Sequence, residues 1–128
     1  MQDKQVFEYA IIRVLPRVER GEFVNAGVVV YCKKQQFLKA MIQLDEQRIK
    51  SLYKEADVLE ISNHLKAFEQ ICLGNKAAGP IAALDVPSRF RWLTAKRSTV
   101  IQASEIHPGL CTDPKAVLEK LFTQMVVM

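Results

Sequence analysis

Three stretches ahead of Asp45 alternate apolar and polar positions with a period of two, and the segments that join them are too short for anything but antiparallel neighbours. Phe7 to Leu15 is rich in β-branched and aromatic residues. It ends at Pro16, which suits a strand terminus and not a strand centre. Arg17-Val18-Glu19-Arg20-Gly21 is a polar connection with a glycine available for positive φ, and Glu22 to Cys32 resumes strand composition. Lys33-Lys34-Gln35 turns the chain again before a third strand over Gln36 to Leu44. The pattern predicts a three-stranded antiparallel meander.

Parity along the strands separates two faces. Ala10, Ile12 and Val14, then Val24, Ala26, Val28, Val30 and Cys32, then Leu38, Ala40, Ile42 and Leu44 form an almost wholly apolar set, the expected core face. The opposite parity carries Phe7, Tyr9, Ile11, Leu15, Phe23, Val29, Tyr31, Phe37 and Met41. It also holds Arg13, Asn25 and Gly27 in mid-strand, where simple packing does not ask for them. A second face, aromatic and open to a companion molecule, is expected.

Helical signals follow. Asp45 caps a short helix with Ile49, Leu52 and Tyr53 facing inward. Asp57, with Glu60 three residues on, opens a longer one whose Val58, Ile61, Leu65, Phe68 and Cys72 recur every three or four residues, and Gly74 stands where a C-terminal cap belongs. From Asn75 to Pro87 the chain loosens. Ser88 to Ala95 and Arg97 to Ala103 read as further strands, and His107-Pro108-Gly109 reads as a turn. Asp113-Pro114 starts a last helix with Val117, Leu118, Leu121, Phe122 and Met125 inward. The expected fold class is α+β: one domain over residues 1–128, an antiparallel sheet of four or five strands beginning with a meander, and helices mainly on the aliphatic face.

Composition narrows the function classes. With 49% hydrophobic and 25% charged residues the chain has the balance of a globular domain, not of a disordered one. No apolar run approaches the roughly 20 residues that a bilayer span requires, and the N-terminus has no apolar signal core. Cys32, Cys72 and Cys111 are scattered and odd in number, which argues for reduced thiols and a cytoplasmic location. Two histidines, without paired His or Cys spacing, give no metal site. No catalytic residue and no cofactor motif is assigned.

The net charge of +4 is unevenly spread. Val86 to Ser104 carries Arg89, Arg91, Lys96 and Arg97 and no acid, so it prefers an anionic neighbour. With Trp92, Ser98 and Thr99 it offers the guanidinium groups, stacking surface and hydroxyls that phosphate or single-stranded nucleic acid sites use, although an ordinary wet strand face would look similar. Arg13 in an apolar strand calls for a carboxylate, with Glu8 and Glu22 near enough to serve, or for an anionic ligand. Gly27 fits a bulge or a space left for a large neighbour. His107, near Ser104, Glu105 and Cys111, supplies the parts of a triad in name only, since a triad is defined by geometry. A catalytic reading would need Arg13, Asn25 and His107 in one pocket.

Phe7-Glu8-Tyr9-Ala10-Ile11-Ile12-Arg13-Val14-Leu15-Pro16-Arg17, Gly21-Glu22-Phe23-Val24-Asn25-Ala26-Gly27-Val28-Val29, and Arg97-Ser98-Thr99-Val100-Ile101-Gln102 with His107-Pro108-Gly109 resemble the bacterial family known as domain of unknown function 3037. The resemblance spans nearly the whole chain and brings no catalytic residues with it. It implies company, since members tend to be encoded beside a kinase-like protein resembling the HipA toxins. The expectation is a non-enzymatic cytoplasmic interaction or regulatory module with a protein partner such as a HipA-like kinase, and with no membrane attachment; self-association is compatible with it. The alternative is a phosphate, nucleotide or nucleic-acid binding module built on the basic 86–104 segment. The candidate partner- or anion-binding residues are Arg13, Asn25, Arg89, Arg91, Trp92, Lys96, Arg97, Ser98, Thr99, Gln102 and His107.

Overall fold

A computed structural model describes residues 3–127. The meander forms as expected. β1 (Gln5–Val14) pairs antiparallel with β2 (Val24–Cys32), and β2 pairs with β3 (Phe37–Ile42). The connection after β1 closes on Gly21 at φ 72, a left-handed conformation that glycine adopts without steric cost. The other edge of β1 is shared by two short strands. β5 (His107–Cys111) pairs with Gln5 to Tyr9, and β4 (Ile101–Ala103) pairs with Ile12 to Val14. The result is one five-stranded antiparallel sheet.

Ser104 occupies the junction of these two strands. Its backbone N–H donates to the Ile11 carbonyl at 2.9 Å, and its Oγ accepts from the Ile11 N–H at 2.8 Å. One buried side chain thus completes the ladder of β1 where neither short strand reaches, because an unmatched buried N–H would be costly.

Four helices follow from their caps. Asp45, Asp57, Asp85 and Asp113 each accept a backbone N–H at the start of α1 (Glu46–Leu52), α2 (Val58–Leu73), α3 (Val86–Thr94) and α4 (Pro114–Phe122) respectively. Gly74 ends α2 at φ 71, as its position predicts. Among the described residues no helix is long and apolar enough to cross a membrane.

Three expected elements are different in the structure: of the strand expected over Arg97 to Ala103, only Ile101–Ala103 forms. Ser88 to Ala95 is not a strand but most of α3, with Pro87 in the first turn and Phe90 and Leu93 buried three residues apart. Arg-Phe-Arg-Trp alternates by composition, but the buried positions follow the helical period. His107-Pro108-Gly109 is not a turn but the start of β5. Proline is tolerated there because an edge strand need not donate on its outer side. Gly109 is required because the Phe7 ring lies over it: a Cβ at that position would sit 2.5 Å from the Phe7 Cζ.

The faces of β2 also differ from simple parity. Ile12 pairs with Gly27 and Arg13 with Asn25, so Ala26 is an extra residue and the register shifts. Beyond this bulge the side chains exchange faces. Val29 and Tyr31 join Ala10, Ile12, Leu38 and Ala40 beneath α1, α2 and α3, with Ile49, Leu65, Phe68, Phe90 and Leu93. Val28, Val30 and Cys32 instead join Phe7 and Ile11 on the other side, and Leu118 of α4 and Val126 of the π turn Thr123–Val127 cover them. Gly27 is held to glycine at the bulge, where a Cβ would stand 2.7 Å from the Met41 carbonyl oxygen and 3.1 Å from Ile12 Cδ1.

The expected open aromatic face is therefore absent among the described residues. Three helices pack on one side and the fourth blankets the other. Tyr31 is buried against Phe90, with ring centres 4.9 Å apart, on the side opposite to that expected. Each such fully buried aromatic or aliphatic side chain contributes roughly 1.5–3 kcal/mol. Of Tyr9, Phe23 and Tyr31, only Phe23 is largely exposed.

Candidate functional site

The pairing of β1 with β4 brings two sequence-distant sets of residues together. Arg13 lies directly across from Gln102, and the Leu15 N–H donates to the Val100 carbonyl at 2.7 Å. Because α3 ends at Thr94, the connection into β4 delivers Lys96, Arg97 and Ser98 to the same end of the sheet. Arg13, Lys96, Arg97, Ser98, Gln102, Ala103 and Glu105 line one cleft of about 450 Å³. Thr99 Oγ1 donates to the Ile101 carbonyl at 2.7 Å and Gln102 Nε2 to the Thr99 carbonyl at 2.9 Å, which shapes the connection from within.

The cleft holds three cations and one carboxylate. Lys96 and Glu105 meet at 2.9 Å in an exposed pair, the kind that contributes little to stability. The Lys96 ammonium beside Glu105 holds its carboxyl below the ordinary value, with smaller contributions from His107 and Arg13. Arg97 lies over the Trp92 ring, 4.0 Å from its centre, and donates to the Trp92 carbonyl. Arg13 lies over the Phe23 ring at 4.2 Å. Its Nε is buried without a hydrogen-bond partner, and among the described residues it forms no ion pair.

The carboxylates expected for Arg13 are engaged elsewhere. Glu8 takes both nitrogens of the Arg91 fork, each at 3.1 Å, and Glu22 pairs with Arg20. Among the described residues Arg13 is a half-buried guanidinium on an aromatic plate without an ion pair, and Glu105, the carboxylate of its cleft, is paired with Lys96.

A second hollow of about 470 Å³ adjoins the first and shares Arg97, Gln102 and Ala103 with it. Its walls are largely apolar: Ala67, Phe68 and Ile71 from α2, Trp92 and Leu93 from α3, and Val100 and Ile101 from the following segment. His64 and Glu60, paired at 3.5 Å, stand on its rim.

The remaining candidates do other work. Arg89 donates to the carbonyls of Leu84 and Cys72, tying the end of α2 to the start of α3. Arg91 is committed to Glu8. Asn25 donates to the Met125 carbonyl at 3.1 Å and Arg48 to that of Val126, so together they fasten the π turn over the sheet. Asn25 Oδ1 stays buried and unmatched. His107 packs against Tyr9 in a tilted arrangement with ring centres 5.2 Å apart. Arg13 lines the cleft, Asn25 lines hollows beside the π turn, and His107 lies against Tyr9. Ser104 is structural. Burial pushes the Cys72 thiol up to about 12 and raises that of Cys111, the reverse of what a nucleophile needs.

Sequence reasoning singled out Arg13, Lys96, Arg97, Ser98 and Gln102, which the structure brings together, with Trp92 and Thr99 adjoining. It did not find Phe23 as the plate under Arg13, although Phe23 stands two residues before Asn25, the residue paired with Arg13. Nor did it find the α2 wall of the second hollow, since an exposed Ala67 carries no signal.

A family model described as "Protein of unknown function (DUF3037)" matches residues 9–126. No curated protein and no solved structure matches the chain.

Proposed function

We propose a binding role for this chain, which belongs to the DUF3037 family: it is a non-enzymatic cytoplasmic module that holds an anion of the phosphate class in the Arg13–Arg97 cleft. The observation that carries the reading is Arg13, a guanidinium stacked on Phe23 with its Nε buried and unmatched, facing Lys96, Arg97, Ser98 and Gln102. Guanidinium groups offer phosphate two-point hydrogen bonds, and Ser98 and Gln102 add neutral donors. Buried, free Cys32, Cys72 and Cys111 suit a reducing compartment. Titration of the full chain with inorganic phosphate and with a short single-stranded RNA, each at rising salt, tests the reading. The expected result is affinity that falls with salt and is weakened roughly tenfold in Arg13→Gln; salt-independent binding, or none, overturns it.

A second reading, docking of a protein partner such as the HipA-like kinase that the resemblance implies, is favoured by a different surface. Val6 and Leu110 face each other across β1 and β5 and are 59% and 63% exposed. Retention of a co-expressed partner by the wild type but not by Leu110→Lys would support it.

A further inference from the structure

We infer that the apolar hollow beside the cleft seats the base of a nucleoside monophosphate whose phosphate occupies the cleft, an inference that rests on the anion-binding reading above. The two hollows are neighbours that share the lining residues Arg97, Gln102 and Ala103. Each lies within the roughly 300–1,000 Å³ range of small-ligand sites, and they differ in chemistry as the two ends of a nucleotide differ.

The cleft is cationic and hydroxyl-bearing. The hollow is walled by Phe68, Ile71, Leu93 and Ile101, surfaces that reward the burial of a flat apolar ring and offer a phosphate nothing. Trp92 is 39% exposed at the hollow, where an indole serves as a stacking surface for a base. Arg97 joins the two ends. Its guanidinium, held over the Trp92 ring at 4.0 Å, lines both hollows, so the group that stabilises the indole also faces the phosphate position. At the far rim Glu60 and His64 offer hydrogen-bonding groups to the edge of a base.

Trp92 is the only tryptophan of the chain, so its fluorescence reports on the hollow and on the Arg97 guanidinium over its ring. The full chain is titrated with inorganic phosphate, ribose 5-phosphate, adenosine, AMP and a five-nucleotide RNA, with calorimetry beside fluorescence. AMP is expected to bind roughly tenfold tighter than ribose 5-phosphate, since stacking of one base contributes on that order, and to change the Trp92 emission more than ribose 5-phosphate, which reaches the indole only through Arg97. Ala67→Leu, at an exposed position of α2 that lines the hollow, is expected to reduce AMP to the level of ribose 5-phosphate without altering the latter.

Equal affinities for AMP and ribose 5-phosphate, with the same Trp92 emission for both, overturn this inference and leave the anion-binding reading standing. Failure of phosphate and ribose 5-phosphate to bind at all overturns the reading as well. RNA that binds far more tightly than AMP replaces the mononucleotide by a strand. Adenosine that binds as well as AMP assigns the hollow to a neutral ligand and overturns the inference.

Discussion

The two halves of the outer edge of β1 have opposite characters. Along the β5 half contacts are closed from within: the Phe7 ring fills the space above Gly109, His107 lies against Tyr9, and Ser104 Oγ completes the ladder where β5 gives way to β4. Along the β4 half Arg13 forms no ion pair among the described residues, and the cleft it faces holds two further cations and one carboxylate, Glu105, which is paired with Lys96. One edge of one strand thus sets local self-sufficiency beside the proposed anion site. A closed region should respond to substitution with lost stability, and an open one with lost binding.

The sharpest way to break this contrast is Gly109→Val. A side chain there must displace the Phe7 ring, and overpacking of a filled site costs roughly 1–3 kcal/mol. Thermal unfolding should show a clear drop, while any remaining folded protein binds phosphate normally. Ser104→Ala should lie close behind. It strands the buried Ile11 N–H at a cost of about 1–3 kcal/mol, read as a fall in the urea midpoint at constant slope. Both outcomes would be inverted, binding lost and stability kept, if the halves had been wrongly distinguished.

Arg13→Gln probes the open half. Stability should change little, because the native guanidinium has no ion pair to lose, whereas phosphate affinity should fall by roughly tenfold, as expected for removal of one charged hydrogen-bonding group. The smallest effect belongs to Glu105. Its carboxyl lies below the ordinary 4.5 because of Lys96, so it remains charged at neutral pH and opposes an incoming anion. As pH falls through that lowered value the carboxylate is neutralised and the cleft becomes more positive. Sulfate, whose charge is constant over that range, should then bind more tightly to the wild type. Glu105→Gln should bind sulfate modestly better at neutral pH and lose the rise in acid. A rise of equal size in both proteins would assign the effect to other groups.

Much of the closed architecture was legible because its signals are local. Asp45, Asp57 and Asp113 announce their helices within three residues, and Pro16 and Gly21 mark the first strand connection. α3 was equally local in principle, with Asp85 two residues before Pro87, but Phe90 and Trp92 alternating with arginines imitate a strand over the few residues available. The exchange of faces along β2 was not legible. Nothing in Asn25-Ala26-Gly27 states that Ala26 is the supernumerary residue, and one residue suffices to reverse every side chain beyond it. For the site, residue types were readable and their convergence was not. Arg13 and Gln102 are joined by a strand pairing that no short-range pattern encodes, and the competing claims of Arg20 and Arg91 on Glu22 and Glu8 appear only in three dimensions.

The split partnership of β1 has a consequence for how the polypeptide comes to life on a ribosome. Residues 5–14 emerge long before their second neighbours, residues 101–111. Throughout that interval one side of an aliphatic strand presents bare amides and carbonyls, the template on which nascent chains aggregate or chaperones settle. Contacts so distant along the chain also slow the search for the native state. Moving the 101–111 segment ahead of β1 by circular permutation should therefore speed refolding.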